Sequence, residues 1–117
     1  MIIKYWYRTE NKAPAQIFLQ KELDGRERVS VEDYIQSFFN PHYTLAKMVS
    51  VQELKHIEKS LYMLRIRTCG SFFRFPSVAE GQDELVLLDG FKKKTNKIDK
   101  RDIKRAKAMY QEYKSSK

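Results

Sequence analysis

A single cysteine, Cys69, in 117 residues excludes an internal disulfide framework, so the fold has to hold by packing alone. A reducing compartment suits such a chain. Two histidines, His42 and His56, set well apart from that cysteine, offer no spacing for a structural zinc site. Glycine and proline are scarce, at four and three residues, while apolar residues make up 42% and aromatics 13%, which excludes a disordered or low-complexity chain. No apolar run approaches the roughly 20 residues of a transmembrane helix, and the first residues lack the regions of a signal peptide. The expectation is a cytoplasmic protein with no membrane association.

Acidic residues are also scarce in one place. Lys92–Lys117 holds 11 Lys/Arg against 3 Asp/Glu, whereas residues 1–91 hold 12 of each, so the terminal segment carries the whole net charge of +8. Clustered cations release counterions when they neutralise phosphates, and a neutral body with one basic end points to a polyanion. A solubilising tail is the plainer alternative.

Ile2–Arg8 is β-branched and aromatic, and reads as a strand. Pro14 stands at the start of a helix carrying Ile17, Phe18 and Leu23, closed by Asp24-Gly25. Ser30-Val31-Glu32-Asp33 resembles a capping box for a second helix, with Val31, Ile35, Phe38 and Phe39 on its apolar stripe and Asn40-Pro41 at its end. His42–Ser60 shows no clear pattern beyond a short helix beginning near Ser50. Leu61–Thr68 alternates, Cys69-Gly70-Ser71 marks a turn, and Phe72–Phe75 returns until Pro76 interrupts it. After a polar loop, Glu84–Asp89 is a third apolar run. A helix follows from Asp99 or Lys100, with Ile103, Ala106, Tyr110 and Tyr113 on one face and cations on the other. The order predicts one α+β domain over 1–117. An antiparallel sheet, made of the N-terminal strand and a three-strand meander, packs with two N-terminal helices and a basic C-terminal helix.

The hairpin is the sharpest feature. Alternation puts Arg65 and Arg67 on one face and Leu64 and Ile66 on the other. With Gly70-Ser71 as the two-residue turn, Arg67 falls opposite Arg74, and Phe73 joins the apolar face. Three guanidiniums on one side of a sheet repel each other, so folding alone gives no reason for them. Phosphate would offset the repulsion and suits the planar guanidinium fork. Neutralisation by helix carboxylates or by Glu84 is the competing explanation. The histidines read as surface residues and Cys69 as a plain turn residue. Of Tyr5, Trp6 and Tyr7, which offer faces for base stacking, at least one belongs to the core.

These residues also carry a resemblance. Leu61–Arg67, Gly70, Phe73-Arg74, Leu85–Leu88, Gly90-Phe91, Lys93-Lys94-Thr95, Lys97, Ile103 and Ala106 in this order resemble the phage-derived, HigB-like branch of the RelE toxin superfamily. Tyr7-Arg8, Ala13-Pro14 and Phe18-Leu19 extend the likeness over nearly the whole chain. The resemblance implies the toxin of a type II toxin–antitoxin pair, a metal-independent and cofactor-free endoribonuclease that cleaves mRNA, usually on the ribosome. Its partners would be mRNA, ribosomal RNA and an antitoxin often built on a helix-turn-helix. Such enzymes use the 2′-hydroxyl of the RNA as nucleophile and supply a base, an acid and charge at the phosphate. By motif position, Arg65 and Arg74 would line the active site, with Arg67 between them on the same face, and Lys93 and Lys94 would hold RNA backbone, with Lys92 and Lys97 as further candidates beside them. Asp89 stands where many relatives carry histidine, and enters as a candidate base although the ordinary carboxylate pKa near 4 is low for that task. Pro76 or Ser77 replaces an aromatic of the family's strand, and Ile98-Asp99 its Thr-Pro helix start. A non-catalytic RNA- or DNA-binding module on the same fold, and the gyrase-poisoning branch of the superfamily, are the alternatives.

Overall fold

The computed structural model describes residues 1–117, and its elements follow in the order strand, three helices, five strands, helix. Ile2–Tyr5 is β1, and Pro14–Lys21 is α1, with Pro14 in the first turn where a missing N–H costs nothing. α2 spans Gly25–Ser37 and starts earlier than the Ser30 pattern predicts. The reason is a full reciprocal box one turn upstream: Asp24 accepts from the Glu27 N–H at 2.8 Å, and the Glu27 carboxylate accepts from the Asp24 N–H at 3.2 Å. Asp24-Gly25 therefore opens the second helix rather than closing the first. Ser30 lies inside it, its hydroxyl 2.6 Å from that of Thr68.

His42–Ser60 contains two elements, α3 (Leu45–Ser50), capped by Thr44 and ending at Ser50 where a helix is expected to begin, and the strand β2 (Leu54–Glu58). β3 is Leu61–Thr68, β4 is Ser71–Ala79, β5 is Glu84–Leu87 and β6 is Phe91–Lys93. α4 covers Lys100–Ser115, with Asp99 as its N-cap. No helix is long and apolar enough to cross a membrane.

The strands form one sheet in the order β1-β5-β4-β3-β2, with β6 beside β4. β1 runs parallel to β5 and every other pairing is antiparallel. The α+β class thus stands with a mixed sheet. The long connection through the helices and the hairpin supplies the crossover that a parallel neighbour needs.

β4 runs straight through Pro76, which the sequence pattern would make its end. Leu88 N–H donates to the Pro76 carbonyl at 2.8 Å, so the nitrogen of Pro76 faces the same neighbour. That neighbour bulges there. Ser77 pairs Leu87 and Arg74 pairs Phe91, so Phe75 and Pro76 face three residues, Leu88, Asp89 and Gly90. Proline is tolerated at a bulge because no ladder partner is waiting for its N–H. The extra residue also reverses the alternation. Leu85 and Leu87 point to one face, whereas Phe91 and Lys93 come out on the other, opposite Arg74 and Phe72. Gly90 is required here, since a Cβ would sit 2.5 Å from Phe18 Cδ2 and 3.0 Å from Phe75 Cε1.

Both faces of the sheet carry a core. On one, Phe18, Leu19, Val31 and Ile35 from α1 and α2 pack on Leu64, Ile66, Phe73, Phe75, Leu85 and Leu87. On the other, Ala106, Met109, Tyr110 and Tyr113 from α4 pack on Trp6, Leu61, Met63, Val78 and Leu88. α4 covers this second face at the Leu61–Met63 end of β3. Beyond it, toward the hairpin tip, the same face carries Arg65, Arg67, Phe72 and Arg74.

Candidate functional site

The hairpin turn is Cys69-Gly70, one residue earlier than the predicted pair. Both residues take positive φ, 54° and 72°, as a two-residue turn with the right twist requires. Thr68 therefore pairs Ser71, Arg65 lies directly opposite Arg74, and Arg67 opposite Phe72. The predicted opposition of Arg67 and Arg74 is corrected, but the register moves by an even number of residues and the three arginines keep their common face.

Their environments differ. Arg67 is exposed, its guanidinium carbon 5.1 Å from the Phe72 ring centroid. Arg65 is held by the turn between α3 and β2, donating from Nε and Nη2 to the Gln52 carbonyl at 3.1 and 2.6 Å. Arg74 is only 1% exposed. Its Nη2 donates to the main-chain oxygen of Asn96 at 3.1 Å and to Asn96 Oδ1 at 2.7 Å, its face lies 5.4 Å from the Phe72 ring, and its buried Nε has no partner. Burial, and then the neighbouring Arg65, push its pKa below the usual arginine range, with Asp102 pulling the other way. No carboxylate makes an ion pair with any of the three. The acidic groups are committed elsewhere: Glu84 to Lys4, Glu27 to Lys92, Asp89 to Arg105, and Asp99 and Asp102 to Lys93. Neutralisation by carboxylate contact, the competing explanation for the arginine row, is therefore not what the molecule does.

The lysine run divides. Lys92 pairs across β6 with Phe73, points to the α2 face and forms an ion pair with Glu27, which raises its pKa. It lies on the opposite side of the sheet from the arginines, so it is not placed to hold RNA backbone beside them as expected. Lys93 emerges on the arginine face, where it donates to Asp102 and to the Lys97 carbonyl at 2.6 Å, and lies 3.5 Å from Asp99. Lys94 and Lys97 are exposed, and neither ammonium makes an ion pair. Asp89 sits in the bulge, 7% exposed, with Oδ1 accepting from the Gly90 N–H at 2.8 Å and Oδ2 from Arg105 Nε at 2.6 Å. The Arg105 guanidinium in turn lies 5.1 Å from the Phe91 ring.

Three participants escaped the sequence reading. Phe72 is the aromatic of the arginine face, legible in retrospect because it has the same parity as Arg74. Asn96 and Arg105 come from the β6–α4 loop and the second turn of α4, and no alternation rule places them. The aromatic cluster of β1 lies elsewhere: Tyr5 packs against the α1/α2 core, Trp6 is buried against Tyr113, and Tyr7 is exposed at the far edge of the sheet. His56 Nε2 donates to the Lys59 carbonyl of its own turn, 2.8 Å away, against Tyr62, on the face away from the arginines.

The sheet thus carries a row of guanidiniums on the face that adjoins the β6–α4 loop. Residues 23–111 match the model of the family Phage derived protein Gp49-like (DUF891). The chain belongs to the Gp49-like phage-derived family. This family holds toxin-type proteins of toxin–antitoxin systems, which implies an antitoxin as partner. The match starts just before α2 and ends within α4, so it contains the arginine row, the bulge and the β6–α4 loop. No curated protein matches the chain.

Proposed function

We propose that this Gp49-like protein is the toxin of a type II pair from the HigB-like branch of the RelE superfamily, with residues 1–117 acting as one domain. Its activity would be metal-independent cleavage of mRNA, on the ribosome, by attack of the RNA 2′-hydroxyl on the adjacent phosphate. The observation that carries this reading is the arginine face: three guanidiniums and an aromatic ring on one side of a hairpin, with no carboxylate in contact. In the transition state the phosphoryl oxygens gain charge, and preorganised guanidiniums near a low-dielectric surface stabilise that charge more than the ground state. Arg74 would hold the scissile phosphate, Arg65 its second oxygen, and Arg67 with Phe72 a neighbouring nucleotide. Lys94 and Lys97 would hold flanking backbone.

Asp89 enters this scheme through Arg105, since each of its oxygens already accepts a hydrogen bond and its charge faces that guanidinium. That engagement also favours a second reading, a binding module without chemistry on the same fold. Induced expression separates the two. A toxin fragments cellular mRNA and arrests growth, and Arg74→Ala removes both effects while circular dichroism remains that of a folded domain. Intact mRNA under the wild-type protein would leave the binding module, and full toxicity in the variant would remove Arg74 from the mechanism.

A further inference from the structure

We infer that the Lys94–Asp99 loop is a latch over a phosphodiester site, with Asn96 occupying the place on Arg74 that an RNA phosphate takes. The inference rests on the reading of the arginine face as an RNA site, and adds how that site is closed. A buried guanidinium is costly unless an anion meets it, yet both contacts to Arg74 come from neutral oxygens of one residue. Its Nε is buried and unpaired, so the fork that would grip a phosphate bidentately is half used. Phe72 closes one side and the Asn96 segment the other.

The latch has the construction of something that lifts. It lies between β6 and α4 without regular structure, and Lys94, Thr95, Asn96 and Lys97 are all exposed. From Lys94 to Lys97 its hold on the body is polar, while Ile98 anchors the far end on the α4-side core: Lys93 gathers the Lys97 carbonyl and the Asp99 and Asp102 carboxylates, and Asn96 binds Arg74 in the middle. A phosphate arriving at Arg74 replaces two neutral acceptors with a charged one and satisfies Nε as well. The displaced loop then brings Lys94 and Lys97 to the flanking phosphates.

The test uses the full chain and a short 2′-O-methyl RNA, which cannot be cleaved, with affinity read by fluorescence anisotropy and the Arg74 Nε–H resonance by NMR. Asn96→Asp gives Arg74 a fixed carboxylate and weakens RNA binding about tenfold. Asn96→Ala removes one acceptor and tightens binding. In the wild type the Arg74 resonance moves on RNA addition, and in Asn96→Asp that movement is lost. Weakening in both variants would make Asn96 an RNA contact and overturn the latch, as would unchanged affinity in both. Because the probe is inert, opposite effects of the two variants without mRNA fragmentation in cells would refute the nuclease reading and keep the latch. Fragmentation with unchanged affinities would do the reverse.

Discussion

At the scale of single residues, side-chain parity travels further than residue type. Alternation alone places Arg65, Arg67 and Arg74 on one face, and the structure keeps them there although the turn residue differs. What alternation cannot reach is a partner from another element, and Asp89 is the case in point. Its position before Gly90-Phe91 suggests a base, but in the fold it caps the Gly90 N–H and anchors Arg105 of α4. Asp89→Asn tests which role matters. The side chain still accepts from Gly90 but loses the charge facing Arg105, so the expected result is a loss of about 1–2 kcal/mol of unfolding free energy and less than a tenfold fall in cleavage. General bases contribute about 100-fold or more. A fall of that size at unchanged stability, measured by denaturant melts beside a cleavage assay, would return Asp89 to the proton transfer.

At the scale of elements, legibility follows how local the determinant is. β3 and α4 appear where their patterns put them, because alternation over eight residues and a capped 3.6-residue stripe are both local signals. β2 does not, since its Lys55, His56 and Glu58 become strand through pairing with β3, a neighbour supplied by the fold. The same holds for β6, three residues whose ladder with β4 depends on the bulge. The cap of α4 is both local and titratable. The Asp102 backbone N–H, then Lys93, hold the Asp99 carboxyl below the usual carboxylate range. The folded state thus takes up this proton less readily than the unfolded chain. Its stabilisation is complete above the unfolded value near pH 4 and is lost as pH falls through the lower folded value. Asn caps a helix about as well as Asp but does not titrate. Between pH 5 and pH 2 the melting temperature of Asp99→Asn should therefore fall less than that of the wild type, and parallel curves over that range would show that the charge of the cap does not matter.

For the whole molecule, the basic end found by counting is a poor guide to where free charge lies. Within Lys92–Lys117, Lys92, Lys93, Arg105, Lys107 and Lys117 are spent on Glu27, Asp99 with Asp102, Asp89, Glu58 and Glu80. The cations left without a carboxylate partner, apart from Lys114 on the Tyr110 ring, are Lys94, Lys97, Lys100, Arg101 and Lys104, all on the loop or the first turns of α4. Unpaired charge therefore collects on the loop that carries Asn96 and on the start of α4, at the positive end of that helix's dipole. Counterion release turns this map into a measurement. For single-stranded RNA, each neutralised phosphate contributes a slope of about −0.7 to log K against log salt concentration. Replacing Lys94 and Lys97 together with Gln should make the slope shallower by about 1.4. Lys92→Gln should leave it unchanged, because Lys92 is on the far face and already paired. The two variants take their lysines from the same charged run, two from the loop and one from the far face where it is paired. A change in slope of about 0.7 from Lys92→Gln, the same per lysine, would mean that bulk charge, rather than the placement set by the bulge, governs RNA binding.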